Sequence, residues 1–243
     1  MELFFVNSAL CPQRKSHSDA AEMVNQLLFG ELLELLDAEK QWRKVRSRID
    51  QYEGWVDGKM LSSWEGSEAD YFSKIKRSSP VLEKSSTGSY IPFGAFIHPK
   101  MKEVAHIATK LPNVEQCLDV FLGAPYLWGG KSVLGVDCSG FTQVVMAFQG
   151  VQLKRDGYQQ AEQGETIDFI EQCQTGDLAF FDNEEGKIIH VGVVKMEDDG
   201  PKIIHASGWV RKDALDHQGI YNADQKIYSH QLRIIKRNLP QAK

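Results

Sequence analysis

The chain changes character near residue 100, and this change constrains its fold more than any other feature of the sequence. Before that point, short apolar or alternating runs at residues 3–6, 27–36, 42–49 and 54–56 are separated by polar, glycine-containing segments. Short strands at this spacing are typical of a small β-barrel. Within 27–36, Gly30 favours two strands joined at a bend over a single helix. We therefore predict an N-terminal β-barrel.

The join between the two halves is rich in small and turn-forming residues. Residues 77–90 contain five Ser together with one Pro, one Thr and one Gly, and we predict a linker there. Residues 91–97 are predicted to form one more short strand. The sequence thus divides into a barrel with its linker over 1–100 and a second domain over 101–243.

The second half has helical patterns first and strand patterns afterwards. Helices are predicted over 101–111, over 114–123 and from Ser139 to Phe148, the last with apolar residues at the i, i+3, i+4 and i+7 positions of one face. Strands are predicted at 177–181, 187–196, 201–207 and 232–236. This order predicts an α+β domain in which the helices pack on one face of an antiparallel sheet.

Composition excludes several classes of partner. The 243 residues carry a net charge of −5 with no long basic run, so we expect no nucleic-acid and no membrane partner. The longest apolar stretch, 27–36, is too short to span a bilayer. The first cation is Arg14, so a basic signal-peptide start is missing and a cytoplasmic location is expected, or a periplasmic one if a leader was removed. A monomer is expected.

One of the four cysteines has the surroundings of a nucleophile. Cys138 lies where the helix over 139–148 begins, and the N–H groups and positive dipole end of a helix start stabilise a thiolate. Cys11, Cys117 and Cys173 have no such context and are expected to be small buried hydrophobes. A thiol at its ordinary pKa still needs a base.

Two histidines are candidates for that base. His190 and His205 each follow two isoleucines in predicted neighbouring strands. A buried imidazole without a partner is unfavourable, so each ring is expected to have one. A strand hairpin can place both on one face, where one ring contacts the thiol and the other orients the first. The residue types alone leave two alternatives open: satisfied core histidines, or three ligands of a zinc site formed with Cys138.

A family resemblance favours catalysis over these alternatives. Five segments occur in order, namely PYLWGG (125–130), DCSGF (137–141), the GD dipeptide before DLAFF (176–181), HVGVV (190–194) and IIHAS (203–207). In order and spacing they resemble the NlpC/P60 family of papain-like cysteine peptidases. The resemblance implies that Cys138 is the nucleophile, His190 the general base and acid, and His205 the residue that orients His190. It also implies that Tyr126 helps to hold the oxyanion, and that no metal or other cofactor takes part.

The N-terminal half resembles a bacterial SH3b domain. The resemblance rests on Cys11-Pro12-x-Arg14, on residues 21–24 and 26–31, on Trp42-x-x-Val45 and on residues 52–56. In similar proteins this domain narrows the catalytic cleft. The implied substrate is a muropeptide with a free N-terminal L-Ala followed by γ-linked D-Glu, cut between D-Glu and the diamino acid during cell-wall recycling.

The resemblance also names candidate substrate-binding residues. Asp137 matches the residue that contacts the substrate amine, and Glu22, Trp128 and Asp156 are further candidates. Gly157 stands where similar proteins have a serine that contacts the same amine. The alternatives for function are an amidase or acyltransferase on the same fold, and a non-catalytic wall-binding protein.

Overall fold

The computed structural model describes residues 1–79, 81–85, 88–101 and 111–239. The chain forms two compact units, of which the first comprises Met1–Leu111 and Trp128–Val133 and the second Pro112–Leu127 and Leu134–Lys243. The sequence did not predict the return of a short segment to the first unit. The helix predicted over 101–111 falls almost entirely outside the described residues, and the division at residue 100 stays a prediction.

The first unit is built almost entirely from short strands. They are β1 (Leu3–Val6), β2 (Leu10–Arg14), β3 (Met23–Leu28), β4 (Leu32–Glu39), β5 (Trp42–Ser47), β6 (Glu53–Asp57), β7 (Leu61–Ser63), β8 (Lys76–Arg77), β9 (Leu82–Lys84), β10 (Tyr90–Pro92), β11 (Phe96–Ile97) and β12 (Lys131–Ser132), with a 3-10 turn at Gly58–Met60 and helix α1 (Glu68–Lys74).

Seven of these strands form one antiparallel sheet in the order β3-β2-β6-β5-β4-β1-β7. Its buried face carries Cys11, Leu27 and Val45, among other apolar residues. The bend predicted at Gly30 is confirmed: β3 ends before it, β4 begins after it, and Gly30 has a φ of 77°. A side chain there would also collide with the backbone of Phe96, so only glycine fits.

The prediction of a single strand over 91–97 was wrong. The chain instead forms β10 and β11, separated by Gly94 with a φ of 85°. A positive φ breaks the extended backbone, so one strand cannot continue through this position. The two strands pair with β9 and β8 respectively, and β9 lies inside the predicted linker.

The second unit combines helices with a larger sheet. Its elements are α2 (Val114–Phe121), β13 (Gly135–Val136), α3 (Cys138–Phe148), α4 (Gly157–Gln160), β14 (Glu165–Ile167), a 3-10 turn at Ile170–Gln172, β15 (Leu178–Asp182), β16 (Ile188–Glu197), β17 (Gly200–Ser207), β18 (Trp209–Leu215), β19 (Gly219–Asn222) and β20 (Ile227–Arg237). No helix among the described residues is long and apolar enough to cross a membrane.

The sheet of the second unit closes on itself. Its strands run in the order β14-β20-β15-β16-β17-β18-β19, and β20 also pairs with β19. The enclosed core contains Phe181, Val194, Ile203 and Ile220, among other apolar residues. The predicted α+β class is confirmed, whereas β18, β19 and the closure were not predicted from the sequence.

Helix α3 is the element that positions the candidate nucleophile. Phe141, Val144, Val145 and Phe148 are buried, which confirms the face predicted from the sequence. This face packs against β16 and β17, and α2 packs against α3. The helix ends before Gly150, whose φ of 79° is typical of the residue that follows a helix.

Candidate active site

Cys138 is the first residue of α3, as the sequence predicted. The helix is capped by Asp137, whose carboxylate accepts a hydrogen bond of 2.6 Å from the backbone N–H of Gly140. The thiol of Cys138 receives backbone hydrogen bonds from Ser139 and from Val191. Because Val191 directly follows His190, this contact brings the nucleophile to the strand that carries the candidate base.

The surroundings of Cys138 favour the protonated form of its thiol. Burial and the neighbouring charge of Asp137 raise its pKa to about 11, against the smaller lowering effect of the two backbone hydrogen bonds. The pKa of His190 is held well below its usual range, first by burial and then by the neighbouring imidazoles of His205 and His230. Both shifts favour the neutral form of the group, thiol or imidazole.

A chain of hydrogen bonds runs from His190 into the strand after His205. His190 Nε2 lies 2.8 Å from His205 Nδ1, and His205 Nε2 lies 2.9 Å from Asp213 Oδ2. All three side chains are buried. Arg211 closes the chain with bonds of 2.7 Å from Nε and 2.8 Å from Nη2 to the two carboxylate oxygens of Asp213.

Strand register explains why these side chains meet. Across β16 and β17, Gly192 is paired with His205, so His190 is one diagonal step away on the same face. A side chain at position 192 would crowd His205, because an added Cβ would lie 2.9 Å from the Cβ of that histidine. Across β17 and β18, His205 is paired with Arg211, which puts Asp213 one further diagonal step along.

The carboxylate of Asp213, the last group in this series of hydrogen bonds, determines the tautomer of both histidines. An ionised carboxylate only accepts hydrogen bonds, so His205 Nε2 carries a proton and donates it to Asp213. In the neutral ring His205 Nδ1 then accepts, and His190 Nε2 must donate to it. The remaining nitrogen of His190, Nδ1, is left with the lone pair that a general base needs.

Asp213 was missed by the sequence analysis. Burial would raise its pKa, but hydrogen bonds from His205 and Arg211 hold the pKa below its usual range, so the carboxylate stays charged. Arg211 also contacts the exposed Asp224 at 3.2 Å. The available signal was an acidic residue in the alternating segment WVRKDAL, which follows IIHAS and forms β18.

Asp137 is already engaged within the protein. Its carboxylate accepts bonds of 3.1 Å and 2.5 Å from the two terminal nitrogens of Arg155, and one of 3.2 Å from the hydroxyl of Ser139. Asp137 and Arg155 are both buried. This pair anchors the start of α3 to the segment before α4. The predicted contact between Asp137 and a substrate amine stays a prediction.

Tyr126 lies within electrostatic reach of the nucleophile. Burial raises the pKa of its hydroxyl to about 12, and the charges of Cys138 and Asp137 contribute to that rise. The hydroxyl therefore remains a hydrogen-bond donor at neutral pH. Its backbone N–H donates to Gly208 at 2.9 Å, which fixes the loop in front of β13 to the turn between β17 and β18.

The other predicted substrate-binding residues fall into two places. Glu22 and Trp128 lie in the first unit, where the indole N–H of Trp128 donates to the carboxylate of Glu22 at 3.0 Å. Asp156 lies in the second unit, half-buried at the start of α4, and Gly157 follows it. Their contacts with substrate stay predictions.

The geometry of the two histidines does not suit a shared metal ion. His190 Nε2 and His205 Nδ1 face one another in a hydrogen bond, and His205 Nε2 faces Asp213. Both nitrogens of His205 are thus engaged with protein groups. Among the described residues, no three His, Cys, Asp or Glu side chains are grouped so that they could hold a metal ion.

Comparison with known proteins agrees with this geometry. The model of the NlpC/P60 family matches residues 123–237, and that of the bacterial dipeptidyl-peptidase SH3 domain matches residues 14–61. The probable endopeptidase NlpC of Escherichia coli K12 is 36% identical over 123 residues, which are 49% of this chain and 77% of that protein. The chain belongs to the NlpC/P60 family.

Other NlpC/P60 proteins are similar over different lengths. The γ-D-glutamyl-L-lysine dipeptidyl-peptidase of Bacillus subtilis is 43% identical over 88 residues, which are 35% of this chain and only 28% of that protein. The crystal structure of an NlpC/P60 family protein from Bacillus cereus superposes with a TM-score of 0.77 at 19% identity, over 98% of this chain and all of that one. This last similarity shows the fold: SH3-like strands followed by an NlpC/P60 domain.

Iodoacetamide should label Cys138 faster than the other cysteines. Cys138 is partly exposed, whereas Cys11, Cys117 and Cys173 are buried. Because the pKa of the Cys138 thiol is raised to about 11 and the thiolate is the reacting form, its labelling rate should rise with pH through the neutral range. Mass spectrometry of digested protein measures each rate. Faster labelling at another cysteine, or a pH-independent rate at Cys138, would contradict the assignment.

The substitution Asp213→Asn should lower kcat on the order of 100-fold, because an amide N–H can donate to His205 and reverse the donor order through His190. In His190 the lone pair would then be on Nε2 and no longer on Nδ1, the nitrogen expected to take the thiol proton. Asp224→Asn is the matched control: it removes the other, exposed carboxylate bound to Arg211 and should change kcat by less than about twofold. Equal effects of the two substitutions, at unchanged circular dichroism, would refute the tautomer argument.

Proposed function

We propose that this NlpC/P60 protein is a cysteine endopeptidase that hydrolyses the bond between γ-D-Glu and the diamino acid in cell-wall peptides. The observation that carries the proposal is the hydrogen-bond chain from His190 to Asp213, which leaves one nitrogen of His190 unprotonated beside the strand residue that touches the Cys138 thiol. Relatives are named γ-D-glutamyl-L-lysine dipeptidyl-peptidase and probable endopeptidase, which supports the substrate class.

The reaction begins with proton transfer. His190 Nδ1 takes the thiol proton while the sulfur of Cys138 attacks the carbonyl carbon of the γ-glutamyl bond. The charge that develops on the carbonyl oxygen is stabilised by two donors: the backbone N–H of Cys138, which has no partner within the helix, and the hydroxyl of Tyr126.

The tetrahedral intermediate then collapses. The imidazolium of His190 gives its proton to the leaving α-amine of the diamino acid, and a thioester to Cys138 remains. Water attacks this thioester with His190 again acting as base, which releases the γ-glutamyl product and restores the thiol. Asp213 stabilises the transient imidazolium through His205, although His190 is otherwise too deeply buried to hold a proton readily.

The amine end of the substrate calls for an anion near the site, because an ammonium removed from water without one is unfavourable. Asp137 is an unsuitable sole partner, since its carboxylate already accepts bonds from Arg155, Ser139 and Gly140. We propose Asp156 as a second carboxylate near the amine, beside Asp137. It is less buried, and it precedes Gly157, where an added Cβ would lie 3.8 Å from Val191, the residue that contacts the nucleophile.

This proposal implies a preference for released peptides over intact wall. A free L-Ala amine exists only after the peptide has been cut from muramic acid, so an enzyme that reads this amine acts on recycled fragments. Glu22 and Trp128 remain proposed contacts on the first unit.

The test is digestion of L-Ala-γ-D-Glu-L-Lys and of its N-acetylated form, with products identified by mass spectrometry. We expect cleavage of the free peptide between D-Glu and Lys. We expect kcat/KM for the acetylated peptide to be about 10- to 100-fold lower, since a charge-assisted hydrogen bond contributes about 1.5–3 kcal/mol. Equal rates would show that the free amine does not contribute to substrate recognition. Transfer of the acyl group to an added amine in place of water would identify an acyltransferase.

Two controls separate the chemistry from binding. Cys138→Ala should abolish turnover while it leaves the circular dichroism spectrum unchanged. Chelator treatment should leave activity intact. If elemental analysis found stoichiometric zinc, and chelation removed both zinc and activity, the peptidase mechanism would be wrong. If the wild-type protein cleaved neither peptide, a wall-binding role would be favoured instead.

Gly157→Ser should strengthen recognition of the free amine. A Cβ at this position meets only Val191, at 3.8 Å, so the side chain fits without displacing a neighbour. One added hydrogen bond of about 0.5–1.5 kcal/mol should lower KM for the free peptide about threefold to tenfold. Gly157→Ala is the matched control, since it adds the methyl group without the hydroxyl. An equal gain for the acetylated peptide would show that the hydroxyl does not contact the amine.

A further inference from the structure

A third histidine lies against the His190–His205 pair and has no place in the mechanism above. His230, on β20, stacks on His190 with ring centroids 4.4 Å apart and ring planes 27° apart. Its centroid is 6.0 Å from that of His205, at an angle of 83°. The ring of His230 therefore lies roughly parallel to that of His190 and nearly perpendicular to that of His205.

The backbone of β20 is irregular on both sides of this histidine. Against β19, Ile220 pairs with His230 and the next residue, Tyr221, pairs with Tyr228, so Ser229 is an extra residue. Against β15, the pairing shifts again between Phe180 and Phe181. Bulges of this kind re-aim a side chain and are over-represented next to active sites. A regular β20 would not give the same direction to His230.

His230 contacts His190 on one side and also borders a surface groove. One face of its ring lies on His190, and the residue also lines a groove of about 520 Å³ formed mainly by β20 residues such as Tyr228, Gln231 and Leu232. Phe181 lies near both rings, at 5.9 Å from His190 and 6.0 Å from His230. Without the imidazole of His230, His190 would lose its stacked neighbour and be exposed toward the groove.

Packing, rather than charge, is the means by which His230 acts near neutral pH. Burial and the nearby His205 lower the pKa of His230 to about 4, against a raising effect of Asp213, so the ring is neutral there. The titratable groups next to His190 and His230 are His205 on β17 and, bonded to His205, Asp213 on β18. A neutral stacked ring restrains the χ2 rotation of His190, which the single hydrogen bond to His205 does not fully prevent.

We propose that His230 is a positioning residue that holds the imidazole of His190 in the plane in which Nδ1 faces the Cys138 thiol. This inference rests on the proposed function for its kinetic consequences. Its structural consequence, the orientation and tautomer of His190, exists whether or not the peptide is cleaved.

The test compares His230→Ala with His230→Phe, which keeps a flat ring of similar area and loses the nitrogens. We expect kcat for L-Ala-γ-D-Glu-L-Lys to fall at least tenfold in His230→Ala with KM changed less than twofold, and to stay within about threefold of wild type in His230→Phe. The acid limb of kcat/KM should move to higher pH in His230→Ala, because water then reaches His190 and weakens the burial that lowers its pKa. It should stay in place in His230→Phe, because the ring that phenylalanine replaces is itself neutral near neutral pH.

A second readout does not depend on turnover. Nitrogen-15 NMR of histidine-labelled protein distinguishes protonated from unprotonated ring nitrogens. His190 should show one tautomer, with the proton on Nε2, in wild type and His230→Phe, and a mixture in His230→Ala. A single unchanged tautomer and unchanged kcat in His230→Ala would overturn the inference, as would an equal loss in His230→Phe. If alanine prevents folding, His230→Leu, which is apolar but not flat, replaces it with the same expectations. Failure of wild type to cleave the peptide would overturn the proposed function alone.

Discussion

The carboxylate of Asp213 sets the direction of both hydrogen bonds that link it through His205 to His190. Because an ionised carboxylate accepts and never donates, the protons on His205 and His190 have only one consistent arrangement, and it leaves a lone pair on the nitrogen of His190 that is not bound to His205. The bidentate contact from Arg211 keeps the carboxylate charged and correctly oriented. An ion pair on β18, two strands away from His190, thus determines which nitrogen of His190 holds the lone pair.

The buried ion pair between Asp137 and Arg155 holds parts of the candidate active site together. Asp137 caps α3 and binds Arg155 through both terminal guanidinium nitrogens, so the nucleophile, the helix start and the segment leading into α4 are joined in one place. Removal of one partner from a buried pair costs about 3–5 kcal/mol, because the other charge is left uncompensated. A substitution at Asp137 therefore changes the support of Cys138 together with any contact to substrate, which makes Asp156 the cleaner position at which to examine recognition.

Burial favours the neutral forms of the Cys138 thiol and the His190 imidazole. The pKa of Cys138 is raised and that of His190 is lowered, both first by desolvation. The helix start and Val191 favour the thiolate, while Asp137 opposes it.

The sequence by itself determined the elements that local physics controls. The helix after Cys138 was predictable because its apolar residues recur on one face, and the bend at Gly30 because only glycine adopts that backbone freely. The ordered motifs identified Cys138, His190 and His205. Asp213 and His230 could not be assigned in this way, because neither belongs to one of the five motifs, and both reach the site through pairings between strands.

Tertiary structure alone decided these last contacts. The register of β17 on β18 brings Asp213 to His205, and β20 reaches His190 only because the sheet closes and the strand is bulged on either side of position 230. Register and closure depend on the fit of whole strands and on the core they enclose, so no short segment encodes them. The sequence therefore specified which residues are the candidates for catalysis, and the closed sheet specified which nitrogen of His190 holds the lone pair and what covers the ring.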